Sequence, residues 1–269
     1  MSVKRNPNLL SSQARAKRRR LFLVRFYIIV FIFLFVLFTL AILSGHKKVT
    51  IQTFIINGNN SISDEQILEI ARRDISGRYV GLFAKNNSLI FPRFKIERDL
   101  LTEIKTFTSV KIDWQNLQTI AITVSERKPH SVWCGPNPKA TEEKCFFVDQ
   151  LGFIYDQAPI FTGNVFIKNY YKELPSETYV KIYSLIDFLN KKSIEVNQVY
   201  FDGVDFRFYL ATGPVLIFND KEGGFEKAFD NMFTAIESKN LDLINGAKKI
   251  DYVDLRFESK VVVGKKDAK

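Results

Sequence analysis

The sequence predicts an α+β protein carried on a single N-terminal transmembrane helix. Three observations carry that prediction: one unbroken apolar run near the start, a strand-helix-helix-strand-strand order in the 77 residues after it, and a longer region in which strand signals dominate, with interspersed helices.

The apolar run is Phe26 to Leu43 (FYIIVFIFLFVLFTLAIL), without charge and with Thr39 as its one weakly polar residue. As a helix it covers roughly 27 Å, close to the hydrocarbon thickness of a bilayer. Leu21 to Val24 add a further turn if Arg25 snorkels to the interface. A cleaved signal peptide has a shorter apolar region and a small-x-small cleavage site, which Ile42-Leu43-Ser44-Gly45 matches poorly. An uncleaved span over 26–43 is expected.

The net charge of +10 resides at this end of the chain. Residues 1–48 hold ten Lys and Arg and no acidic residue, and the remainder carries 29 basic against 29 acidic groups. A neutral outer part offers no nucleic-acid patch, so no nucleic-acid partner is expected. Eight of the ten cations precede the span, which predicts a cytoplasmic N-terminus and an outer region from about residue 46. The run Arg15 to Arg20 (RAKRRR) is explained by this topogenic role; anionic lipid is a further possible ligand. Residues 1–25 have no hydrophobic period and read as a disordered basic cytoplasmic tail.

After the span, Val49, Ile51 and Ile55 alternate with polar residues as a half-buried strand does, and Asn57-Gly58-Asn59-Asn60 turns the chain. Ser63-Asp64-Glu65-Gln66 is a capping box opening a helix to about Asp74, with Ile67, Ile70, Ala71 and Ile75 on one face. Tyr79 to Pro92 reads as an extended loop. Leu100, Leu101, Ile104 and Phe107 mark a second helix. Strands follow at Val110-Ile112-Trp114 and Ile120-Ile122-Val124, with Asn116 at the turn. Two helices on one face of a small sheet result.

Glu126-Arg127-Lys128-Pro129 breaks the pattern and marks a domain boundary. Beyond it come a short strand at Ser131–Cys134 and a hairpin around Asp149-Gln150-Leu151-Gly152, whose Asp and Gly suit a type I turn. A helix from about Glu177 to Lys191 carries Tyr179, Ile182, Tyr183, Ile186 and Leu189. Strands at Val199–Phe201, Phe206–Leu210 and Val215–Phe218 precede a helix with Phe225, Phe229, Met232, Phe233 and Ile236. Strand signals close the chain at Lys249–Phe257 and Lys260–Val263.

Catalytic patterns are sparse. There are two histidines, His46 and His130, far apart, and no ligand set at zinc spacing. Cys134 and Cys145 lie across a Pro-rich loop, not at redox spacing; they form either a structural disulfide or two free thiols. Asp251 and Asp254 fall on opposite faces of a strand, and Gly223-Gly224 before a helix reads as turn chemistry. Neither a cofactor nor a small-molecule substrate is expected. The stronger signal is the last strand, whose free edge can recruit a partner strand through main-chain hydrogen bonds, with Phe257, Val261, Val262 and Val263 beside it. The alternative is that this strand is paired or capped within the fold.

Taken in order, IQTFIINGNNSISDEQI, KIDWQNLQTIAITVSERKPHSVW, CFFVDQLGFIYDQA and KIDYVDLRFESKVVVG, after a basic tail and one span, resemble the bacterial cell-division family FtsQ, also called DivIB. The resemblance covers nearly the whole chain. It implies a POTRA domain at residues 49–125 and an FtsQ-type, mainly antiparallel β domain with helices at 126–269. It also implies a non-catalytic, single-pass type II scaffold of the divisome, in the bacterial cell membrane at the septum. The implied partners are FtsB-like and FtsL-like bitopic proteins, bound partly by strand addition at the last strand. Carried over by position, that strand is Tyr252, Phe257, Ser259, Lys260 and Lys265, to which the edge reading adds Val262. Some relatives have small residues or an aromatic where Lys260 and Lys265 stand, so main-chain pairing is the property carried over. On the POTRA side, Arg72, Arg73 and Val110 are candidates for a recruitment face, and the apolar residues of 79–92 are expected to pack within their loop. The alternative reading is a POTRA-bearing envelope-assembly or secretion factor, or a membrane-tethered envelope enzyme, which requires a pocket of convergent titratable groups.

Overall fold

The computed structural model describes residues 12–138, 144–220, 224–238, 241–257 and 260–266. They form an α+β chain that divides into two units, Met1–Glu126 and Arg127–Lys269.

Helix α1 runs from Ser12 to Ser44, so the disordered tail expected through residue 25 is corrected from Ser12 onward. The physical reason lies in the residues themselves: Gln, Ala, Arg, Lys and Leu are good helix formers, and no Gly or Pro interrupts them. Among the described residues, Lys17–Ser44 is long and apolar enough to cross a membrane, and only 6% of its most apolar window is buried. A core helix of a soluble domain would be mostly covered.

The rest of the first unit comprises β1 (Thr53–Asn57), α2 (Asp64–Ile75), a small hairpin of β2 (Arg78–Tyr79) and β3 (Phe83–Ala84), α3 (Arg93–Glu103), β4 (Phe107–Asn116) and β5 (Thr119–Glu126). The sheet order is β1-β5-β4, with β1 parallel and β4 antiparallel to β5. Ser63 caps α2 by accepting from the Gln66 amide, as its position predicts. Two phases differ from expectation. In β1, Phe54 and Ile56 pack on the core and Ile55 is exposed, because a one-residue shift exchanges the faces of a strand. In α3 the buried pair is Ile96 and Leu100, one turn apart; Leu101 is exposed and Phe107 belongs to β4.

The segment that reads as a boundary has a structural task. The Glu126 carboxylate accepts from the amides of Asn60 (2.8 Å), Ser61 (3.0 Å) and Ile62 (3.3 Å) and from the Ser61 hydroxyl (2.6 Å). It thereby clasps the β1–α2 turn to the end of β5. Burial alone would raise its pKa, but these donors outweigh burial and hold it below the usual glutamate range. A depressed carboxylate contributes stability that is present above its unfolded value and is lost as pH falls through the folded one. Glu126→Gln should therefore cost roughly 1.5–3 kcal/mol near neutral pH. In thermal melts that difference should be complete above about pH 5 and should close below about pH 4; a gap that persists in acid would show that the charge is not what matters.

The second unit is built on one nine-stranded sheet. Its strands are β6 (Ser131–Trp133), β7 (Phe146–Val148), β8 (Ile154–Gln157), β9 (Lys168–Tyr170), β10 (Val196–Phe201), β11 (Asp205–Leu210), β12 (Val215–Asn219), β13 (Ile250–Asp254) and β14 (Val262–Lys265), in spatial order β14-β13-β12-β11-β10-β9-β6-β7-β8. Helix α4 (Ser176–Lys191) joins β9 to β10, and α5 (Gly224–Glu237) joins β12 to β13. The sheet is mixed: β9–β10, β12–β13 and β6–β9 pair in parallel. The other five pairings are antiparallel, so the sheet is mainly antiparallel, as expected. Two of the parallel pairings, β9–β10 and β12–β13, follow from the helices, since a helix linking adjacent strands carries the chain back to the starting end. The buried face of α4 is Tyr179, Ile182, Tyr183, Ile186 and Leu189, as its spacing predicts. Gly223, half of the Gly-Gly pair, lies outside the described residues.

Candidate partner-binding edge

The last two strands form an antiparallel hairpin at one end of the large sheet. Val261, Val262 and Val263 favour an extended backbone by β-branching. Val261 and Val263 pack on the main core, whereas Val262 stands opposite Asp254 on the other face. Gly264 stands opposite Tyr252, and a Cβ there would lie 2.3 Å from Tyr252 Cε1, so the ring lies across the glycine. This close approach helps to fix the register of the hairpin.

An ion cluster anchors the hairpin where β13 enters the connection. Arg256 donates through Nε (2.9 Å) and Nη2 (2.6 Å) to Asp254, and through Nη1 (2.7 Å) to Asp205 on β11. Burial pushes the Asp254 carboxyl up, but the bonds from Arg256 outweigh it, and the carboxyl sits below its usual range. Both carboxylates are buried, so Arg256 completes them rather than decorating a surface.

The direction of the edge's backbone follows from two hydrogen bonds. Leu255 donates to Ile217 of β12, so Val253 and Leu255 face β12 while Tyr252 and Asp254 face β14. Lys266 donates to Lys249, so Val262 and Gly264 face β13. Since backbone groups alternate along a strand, the N–H and C=O of Val263 and Lys265 point away from the sheet. Among the described residues no strand covers them. The opposite edge, β8, is blunted: the Asp156 carboxylate accepts from the Gln157 amide at 2.8 Å.

Tyr252, Phe257, Lys260, Val262 and Lys265 all lie on this hairpin, and Ser259 lies outside the described residues. Phe257 is exposed in the connection, with Lys260 Nζ 4.9 Å from its ring centroid. Lys265 is exposed at the open edge. Sequence reasoning missed Arg256, Asp205 and Gly264, whose roles depend on partners far away in the chain or across the hairpin. No protein-family model and no curated protein matches the chain.

The residues expected on a recruitment face sit in different surroundings. Arg73 is engaged by Glu103 through Nη1 (3.0 Å) and Nη2 (2.5 Å), bridging α2 to α3. Val110 is half-buried against the core, and Arg72 is exposed. The outer amide of Ile112 on β4 is taken by Glu97 at 3.1 Å, which blunts that edge as well.

The densest polar cluster elsewhere is internal. Tyr179 Oη lies 2.9 Å from Ser131 Oγ and 3.2 Å from His130 Nδ1, and Asn169 donates to Ser131 Oγ (2.8 Å) and to Tyr183 Oη (2.9 Å). Burial pushes the Tyr183 hydroxyl up to about 12, so it stays protonated, and the cluster ties β6 and β9 to α4. Cys134 and Cys145 are joined as a disulfide. Among the described residues, the groove of about 630 Å³ beside it takes its charge from Lys144 and Lys168 and has no carboxylate or histidine in its lining. Among the described residues no group of three metal-ligating side chains occurs.

Proposed function

We propose that this chain is a bitopic, non-catalytic membrane scaffold of the bacterial divisome, similar to FtsQ and DivIB. It links division proteins at the septum through its outer domains. The observation that carries the reading is the open β14 edge, with the N–H and C=O of Val263 and Lys265 directed outward. Such an edge adds a partner's strand by main-chain bonding and reads its side chains only secondarily. The sequence motifs support the same reading, as does the order of β1, α2, α3, β4 and β5, which fits a POTRA domain. The eight basic residues before the apolar run that starts at Phe26 support an N-terminus in the cytoplasm. The partner is an FtsB-like bitopic protein, accompanied by an FtsL-like one.

Photo-crosslinking in native membranes tests this. Crosslinkers at Phe257, Val262 and Lys265 should yield an adduct with a small single-span protein, and one at Lys181, on the exposed side of α4, should not. Equal adducts from Lys181, or none from the hairpin, would sink strand addition at β14.

A further inference from the structure

The β2–β3 hairpin and the segment after it carry apolar side chains that the fold leaves uncovered. Val80 is 95% exposed and Leu89 62% exposed, with Leu82 and Ile90 also open. The expectation that the loop packs its apolar residues internally is met by Ala84 and Phe91 and not by these four. Tyr79 ties the two stretches together by donating to the Ile90 carbonyl at 3.2 Å.

Val80 is also strained. Its φ is 49°, in the left-handed region where a β-branched residue is rare, and it is followed by Gly81 at φ 72°. In water neither packing nor backbone geometry favours valine there; glycine or asparagine would hold the turn without strain. A strained, exposed apolar residue points to something that covers it.

The position of the hairpin says what that is. The outer end of α1 is hydrogen-bonded to it: the Ala84 amide donates to Ser44 Oγ (3.1 Å), and Asn87 Nδ2 donates to the Ser44 carbonyl (2.9 Å). Ala41 and Ser44 are buried beneath this contact. The Ser88 amide donates to Val49, and the Ile51 amide to Asn86, which joins the segment to the chain leaving the helix. Cations stand at the same level. Arg78 donates to the Leu82 carbonyl and reaches to within 3.8 Å of a Cβ built on Gly45, Lys85 sits over Tyr79, and Lys47 and Lys48 follow α1 directly. Apolar tip, interfacial tyrosine and a rim of lysine and arginine form the pattern of a segment seated at the headgroup–acyl boundary.

We infer that the Arg78–Ala84 hairpin, with Leu89 and Ile90, is a membrane-interface anchor that sets Val80 and Leu82 into the outer leaflet beside the end of α1. Its cations meet lipid phosphates. The inference rests on the reading that α1 spans the membrane, because that fixes the depth of Ser44. It gives the outer domain a second attachment that limits swivelling about the end of the span.

The test uses the full chain in phospholipid vesicles, with an environment-sensitive fluorophore on single introduced thiols. Val80→Cys and Leu89→Cys should give blue-shifted emission quenched by lipids bearing a shallow nitroxide. Val36→Cys should be quenched by a deep nitroxide, and Glu69→Cys on α2 by neither. Val80 and Leu89 reading like Glu69 while Val36 reads deep would overturn the anchor and leave the span intact. Blue-shifted labels that no lipid quenches would mean that protein covers the tip, which also overturns it. An unquenched Val36 label would remove the span, and the anchor with it.

Discussion

Lys265→Pro should reduce the crosslinked adduct from Val262 by roughly 10–100-fold, while Lys265→Ala should leave it within about twofold. The Lys265 amide points away from β13, so proline removes no bond of the internal ladder. It deletes one donor to an incoming strand and sets a ring in that strand's path. The preceding Gly264 accepts the backbone restriction that proline imposes. The alanine variant separates side chain from main chain, because it removes the charge and keeps the N–H. Equal losses from both variants would show that the lysine head is recognised, and main-chain addition would fall. No loss from proline would move the interface away from β14. Circular dichroism of the purified variants should be unchanged, since the substituted side chain is exposed.

Gly58→Ala should destabilise the first unit by about 3–5 kcal/mol, the largest single-residue effect anticipated in this chain. Gly58 has φ 87°, and a Cβ built there would lie 2.1 Å from the Val124 carbonyl oxygen, a backbone atom of β5 that cannot swing aside. The left-handed conformation contributes about 1–2 kcal/mol of that cost and the collision most of the rest. Gly77→Ala provides the comparison: its φ is 82° with nothing within 4 Å of the added Cβ, so its cost should be about 1–2 kcal/mol. Chemical unfolding of the two variants in a Trp133→Phe background, where Trp114 is the remaining tryptophan, measures the difference directly. Similar losses at both glycines would mean that the β1–α2 turn moves away from β5 without penalty.

That collision also explains part of the motif order read in the sequence. Gly58 is required where the turn meets β5, Ser61 supplies a hydroxyl to Glu126, and Glu126 opens the stretch that looks like a boundary. In the second unit, Asp149 accepts from the amides of Leu151 and Phe153, both at 2.9 Å, and pairs with Arg127. A Cβ on Gly152 would meet Tyr179 Cγ at 2.8 Å. These residues read as turn formers and punctuation in one dimension. In three dimensions they are contacts.

The sequence by itself determined the kind of most elements, though not the β2–β3 hairpin or β9. The apolar run of α1, the Ser63 cap, the buried face of α4 and the alternation of Phe206, Phe208 and Leu210 are short-range properties, set by backbone preference and by which side of one element meets a core. What lies across the chain was decided by the tertiary structure alone. The Ser61–Glu126 clasp joins residues 65 apart and the Arg256–Asp205 bond residues 51 apart, and no local period records either. Parallel pairing of β9 with β10 and β12 with β13, the outward aim of Val263 and Lys265, and the exposure of Val80 at the end of α1 belong to the same class. Each depends on which strand lies beside which, and that is settled by long-range packing rather than by any residue's own preference.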